Sequence, residues 1–176
     1  GADDAAGLAI SEKLKSQIRS MGQAQRNAND AVSLLQTSEG AMNEISSMLL
    51  RMRELSVQAS TDTVGSVERQ FLHDELAQLR NEVDRIAEVT EFNGIALLDG
   101  TASALDFQVG INATTNDRIN GSIADMHATG LGGVTTIDGI SLTTKAGAQN
   151  ALAVLDEAIT DVSSARANVG ALQNRL

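Results

Sequence analysis

The 176-residue chain has no cysteine, no proline, no tryptophan and no tyrosine, and only three phenylalanines. Without cysteine there is no disulfide framework and no thiolate metal site, so cysteine usage says nothing of the compartment. Without proline the strongest helix breaker is missing, and very long helices are permitted. The apolar 42% is therefore Ala, Leu, Ile, Val and Met with little else. Those side chains suit helix–helix seams better than a broad aromatic core. Basic residues are also scarce: 13 Lys and Arg against 23 Asp and Glu leave a net charge of −10. Such a surface repels nucleic acid and anionic membrane, so neither is an expected partner. No run approaches the roughly 20 apolar residues of a membrane span.

What is present is helical periodicity. From about Asp4 to about Ser60 nothing stops a helix, on the order of 80 Å long at 1.5 Å per residue. Leu14, Ile18, Met21, Gln25, Ala28, Val32 and Leu35 fall alternately four and three apart, the coiled-coil period. The seam shifts near Ser38-Glu39-Gly40 and resumes as Met42, Ile45, Met48, Met52, Leu55 and Ala59. A step of this kind changes the winding of a supercoil without ending the helix. Asp62 to Gly65 breaks the pattern, and Ser66 is the expected N-cap of a second helix. There Leu72, Leu76, Leu79, Val83 and Ile86 repeat the spacing, and Asn93-Gly94 marks a turn. The two helices are expected to form an antiparallel hairpin.

Residues 95–143 change character, with thinner charge and more Gly and Thr. Ile95–Leu98, Leu105–Val109 and Arg118–Ile123 read as short antiparallel strands, with Gly110–Asp117 as a turn between the last two. Ile140–Leu142 reads as one more strand, and Ala124–Gly133 as irregular or a short helical turn. Helical period returns from about Thr144, with Leu152, Leu155, Ile159, Val162, Val169 and Leu176 on one stripe. Ala151, Ala158, Ala165 and Leu172 form a second, so this helix is expected to touch both members of the hairpin. The predicted architecture is mainly α: an elongated, antiparallel, coiled-coil-like three-helix bundle with a small β-hairpin region between helices two and three. Its parts are 1–94, 95–143 and 144–176, within one structural domain. The interior-looking start at Gly1-Ala2-Asp3-Asp4, and an end at Leu176 inside a helical pattern, suggest a fragment.

Catalytic chemistry finds little support. His73-Asp74-Glu75 are consecutive, whereas a metal face on a helix needs spacings of three or four. His73 is accordingly expected at the surface, and His127 stands alone in a Gly-rich loop. Gly130-Leu131-Gly132-Gly133 follows no strand and opens no helix, so it is no phosphate cradle. No cofactor and no enzymatic activity are expected. Met42, Met48 and Met52 read as core filler, because Met fits irregular gaps. Glu44, Glu54, Asp62, Glu75 and Glu82 read as solvated faces with nearby Arg partners.

Several runs resemble the bacterial flagellin family when taken together and in order. They are Asp3–Ile10 (DDAAGLAI), Gln25–Asp30 (QRNAND), Gln36–Ile45 (QTSEGAMNEI), Arg51–Leu55 (RMREL) with Val57-Gln58, Asn81–Ile86 (NEVDRI), Thr90–Gly94 (TEFNG) and Leu97–Gly100 (LLDG). Leu155–Ile159 (LDEAI) and Gly170–Leu176 (GALQNRL) are similar to the family's C-terminal block. Only Phe107–Gly110 (FQVG) carries the likeness in the middle. The resemblance implies an extracellular filament subunit, exported unfolded through the flagellar type III apparatus, whose partners are further copies of itself. It also implies that the terminal polymerisation helices of the family are missing here, so this length should fold without polymerising. By the same resemblance, Arg51, Leu55 and Glu75 match the contact for the Toll-like innate receptor that senses flagellin, on a surface shared with neighbouring subunits. Arg53, Glu54 and Gln58 flank it, and Leu50 stands where the family often has Gln. Rival readings are a hook–filament junction protein and a coiled-coil signalling module; the Thr/Gly-rich middle does not suit the latter.

Overall fold

The computed structural model describes residues 1–176. Helix α1 spans Ala2–Ala59, α2 spans Ser66–Val89 and α3 spans Lys145–Arg175. At 1.5 Å per residue α1 is about 87 Å long. The helix passes through Gly40 unbroken, since one glycine costs about 1 kcal/mol against alanine and 58 residues of ladder outweigh it. Gly65, not Ser66, caps α2, and it does so without a side-chain hydrogen bond. Thr144 caps α3 as its position suggests, its hydroxyl accepting from the Gly147 N–H at 3.0 Å.

Four short strands lie between α2 and α3. β1 (Glu91–Phe92) pairs antiparallel with β2 (Ile95–Ala96) across the Asn93-Gly94 turn, where φ is +49° and +78°. Two successive positive φ values make the primed turn that matches strand twist, which is why Asn-Gly occupies it. β1 was not expected, and β2 is shorter than the Ile95–Leu98 run; Leu97 and Leu98 instead turn into the core. β3 (Leu105–Gln108) pairs antiparallel with β4 (Arg118–Gly121), Phe107 opposite Ile119. Gly121 sits against α3 so closely that a Cβ there would lie 2.6 Å from Leu172 Cδ1. Ile140–Leu142 is not a strand. It follows a short 3-10 turn at Ile137–Gly139, and the Arg80 guanidinium donates to the carbonyls of Ile137, Asp138 and Ile140 at 3.2–3.3 Å. Those carbonyls thus find a side chain where a ladder would have supplied a strand.

The chain is mainly helical, but its helices do not form three mutually packed partners. α1 packs against both α2 and α3, while α2 and α3 have little direct contact. The expectation that α3 touches both members of the hairpin is therefore corrected. Residues 97–142 bridge the two outer helices instead, burying Leu97, Leu98, Ile123, Met126, Leu131, Ile137 and Leu142 in one continuous core. Irregular backbone can be buried there because its polar groups are satisfied. Ile123 N–H donates to Ala102 O, Met126 N–H to Leu98 O and Ile137 N–H to Leu131 O, at 2.8–2.9 Å.

Along α1 the buried residues are Ala24, Ala31, Leu34, Leu35, Ser38, Met42, Ile45, Leu49, Met52, Leu55, Ser56 and Ala59. Met42 and Met52 are core residues as expected, with Met48 half-buried. Ser38 and Ser56 are tolerated in the seam because their hydroxyls bond back to Leu34 O and Met52 O. The first part of the expected seam has no partner here. Leu14, Ile18 and Met21 are exposed (Ile18 at 68%), as is Gln25, and burial begins with Ala24 and Ala31. Periodicity marks a face as apolar without providing the element that covers it.

Candidate interface on the helical face

Helix α1 is the platform for five of the six candidate residues, and α2 carries the sixth, Glu75. The period of α1 places Arg51, Glu54 and Gln58 on the outside while Leu55 turns inward. Arg51 reaches α2, donating from Nε and Nη2 to Glu75 Oε1 at 3.1 and 3.0 Å. Its Nη1 donates to Glu54 Oε2 at 3.1 Å. Glu54 and then Glu75 push the Arg51 guanidinium further above its ordinary range through these hydrogen bonds. The three side chains form one ion-pair band across the α1–α2 seam, each about half exposed or more. The planar fork of Arg51 is thereby fixed by two carboxylates of its own chain, bridging α1 to α2.

Arg53, two residues on, points the other way. It pairs with Asp156 on α3 at 2.6 Å, and that hydrogen bond lowers Asp156 below the usual carboxylate range. Arg51 and Arg53 therefore brace α1 to its two different neighbours and do not act as one basic pair. Leu50, Arg53, Glu54, Val57 and Gln58 line a shallow groove on the outer side of α1. Leu55 differs from expectation. It is 0% exposed, in the core beneath the band, so it shares no open surface with Arg51. The four–three seam already places Leu55 inward; i and i+4 share a face only within about 40°, and the edge of the seam falls between Arg51 and Leu55. Phe71 was not singled out, yet it is 67% exposed on α2, with Val67 one turn before it and also exposed.

The two histidines are more engaged than a surface reading allows. His73 Nδ1 accepts the Leu142 N–H at 3.2 Å and is half-buried, tying the segment before α3 to α2. His127 lies between Glu88 on α2 and Asp125, with Nε2 and Nδ1 each 2.6 Å from a carboxylate oxygen. Partial burial, the largest single influence, disfavours its charged form. The hydrogen bonds and charges of Asp125 and Glu88 together outweigh burial and raise its pKa. No group of three or more His, Cys, Asp or Glu is disposed to hold a metal ion, and no helix is long and apolar enough to cross a membrane. Of the acidic residues read as paired, Glu82 meets Arg85 and Asp62 meets Lys145.

The geometry defines an elongated, mainly helical chain with ion pairs from α1 to both of its neighbours and an uncovered apolar face on the first part of α1. The comparisons with known proteins specify it. The model of the bacterial flagellin N-terminal helical region matches residues 1–103. A flagellin of Halalkalibacterium halodurans is 43% identical over 174 residues, covering 99% of this chain and 62% of that protein. The crystal structure of Bacillus cereus flagellin aligns with a TM-score of 0.72 at 33% identity, covering 86% of this chain and 84% of that one. A putative flagellar hook-associated protein from Vibrio parahaemolyticus aligns with a TM-score of 0.73 at only 15% identity, covering 96% and 88%, a likeness of fold alone. The chain belongs to the bacterial flagellin family. It spans 62% of the length of the curated relative from H. halodurans.

Proposed function

We propose that this chain is the core of a structural subunit of the bacterial flagellar filament, extracellular when assembled and exported through the flagellar type III apparatus. The observation that carries the reading is the α1 helix, with Leu14, Ile18 and Met21 uncovered at one end and the Arg51–Glu54–Glu75 band at the other. Apolar helix faces of this kind are built to be covered by another helix, and charged bands favour registered side-by-side packing. Identity of 43% to a curated flagellin over nearly the whole chain favours a filament subunit over a junction protein. The function is structural, with homopolymeric partners and no enzymatic step.

The same band is a recognition surface for the flagellin-sensing Toll-like receptor. Arg51, Glu54, Gln58 and Glu75 make the direct contact, Arg53 frames the groove beside them, and Leu55 supports the band from beneath. Since subunit packing and receptor contact use one surface, they compete. Two experiments test the reading. The full-length gene, expressed in a flagellin-null host, should restore swimming and filaments visible by electron microscopy; amorphous secreted protein would refute the filament role. Binding of the folded chain to the receptor ectodomain should weaken with Arg51→Ala and with Glu75→Ala. Unchanged affinity in both variants would remove the receptor assignment and leave the filament role standing.

A further inference from the structure

We infer that His127 is a proton-dependent latch, fastening the 125–131 segment to α2 when its ring is protonated and releasing Glu88 when the ring is neutral. Both ring nitrogens lie within hydrogen-bond distance of a carboxylate, and only an imidazolium can donate from both at once. The surroundings hold no competing cation. Glu88 and Asp84 face the segment from α2, where Asp84 accepts the Ala128 N–H at 2.8 Å. Asp125 lies on the segment itself, and Asp99, in the loop after β2, feels the His127 charge. From α3, Asp161 accepts the Gly132 N–H at 3.0 Å. The ring is thus the positive centre of an acidic cluster that joins three parts of the fold.

The geometry also decides which bond is lost. Asp125 Oδ1 already accepts the His127 backbone N–H at 3.0 Å, so it stays in place to accept from Nδ1 in the neutral tautomer. Nε2 then presents a lone pair to the Glu88 carboxylate, which repels it. Glu88 is 66% exposed and free to turn to water, whereas the His127 side chain is only 20% exposed. The contact that disappears is therefore the one between elements. The segment stays seated through Ala128–Asp84, through Met126 N–H on Leu98 O, and through the buried Met126, Ala128 and Leu131 side chains. Deprotonation loosens it without unfolding the chain. At the other end of the same region Leu142 N–H donates to His73 Nδ1, a separate tie to α2 that does not involve Glu88. Between them Arg80 donates to its three carbonyls, a further tie that does not pass through His127.

The test is an NMR titration of the whole chain from pH 5.5 to 9, with amide protection factors corrected for intrinsic exchange. His127 should titrate above the ordinary histidine range of about 6.5, with the Glu88 carboxyl resonance moving at the same midpoint. Protection at Met126 and Ala128 should fall about five- to tenfold through that midpoint, as expected for one charge-assisted hydrogen bond with a solvent-facing partner. Leu142 should keep its protection over the same rise. Glu88→Gln should lower the midpoint, and His127→Gln should abolish the pH dependence at Ala128. A His127 midpoint at or below the ordinary range overturns the latch, and so does a Glu88 resonance or an Ala128 protection factor unmoved in the parent chain. Both readouts come from the unsubstituted protein, so a variant that folds poorly does not shield the inference.

Discussion

Replacing Leu55 with alanine separates a contact residue from a supporting one. Leu55 has no exposed surface and sits in the core beneath the Arg51–Glu54–Glu75 band, where α1 meets both neighbours. Truncation removes the transfer free energy of most of a buried leucine, about 1.5–3 kcal/mol, and leaves a cavity that α1 cannot easily collapse because α2 and α3 brace it from two sides. The expected cost is about 3 kcal/mol, within the range of Leu→Ala changes in cores. For a domain of this size each kcal/mol shifts the melting temperature by roughly 2–4 °C, so a fall of about 6–12 °C should appear. Circular dichroism at 222 nm is the assay, since α1 dominates the signal. Arg51→Ala is the control: it removes only half-exposed ion pairs and should lower the melting temperature by less than about 3 °C. Any effect of Leu55→Ala on binding should track the fraction folded and vanish well below the transition. A Leu55→Ala protein that melts within about 2 °C of the parent, yet loses binding when fully folded, would refute the placement of this side chain in the core.

Two further outcomes follow from local geometry. A Cβ added at Gly40 in α1 or Gly170 in α3 would meet nothing within 4 Å, so Gly40→Ala and Gly170→Ala should each stabilise the monomer by about 0.5–1 kcal/mol, read as a raised urea midpoint with unchanged slope. Asp156 and Asp62 are held below the usual carboxylate range, chiefly by hydrogen bonds from Arg53 and Lys145. A carboxylate depressed in the folded state contributes stability above its unfolded pKa and loses it as pH falls through the folded value. The melting temperature contribution of these pairs should therefore hold from pH 6 to 5 and decline below about 4, and Asp156→Asn should flatten part of that decline.

The long-range order of the helices was legible because it depends on local signals. The absence of proline, the Asp62–Gly65 break, the Asn93-Gly94 turn and the return of helical period from about Thr144 marked where helices start and stop to within a few residues. The partners of each face were not legible. A four–three pattern led through Gln25, but the buried residues there are Ala24 and Ala31, and beside Ala31 lie Phe92 of β1 and Leu105 and Phe107 of β3. The separation of α2 from α3 was equally hidden, since it arises from loop side chains such as Met126 and Leu131 whose sequence has no period at all. At the candidate interface an Arg partner for Glu75 was expected, but that it is Arg51, a contact across 24 residues, had no local signal. His127 had no signal beyond its proximity to Asp125; Glu88, 39 residues away, supplies the other half of its environment.

The way α1 alone touches both outer helices has a mechanical consequence. Tension along the long axis is carried by one uninterrupted ladder of backbone hydrogen bonds, which stretches little. Moving α2 relative to α3 meets no direct helix-on-helix ridge between them, but it works against the apolar side chains that residues 97–142 bury between the two. Resistance to extension is thus set by α1 itself, and the coupling of the two outer helices by what residues 97–142 bury between them.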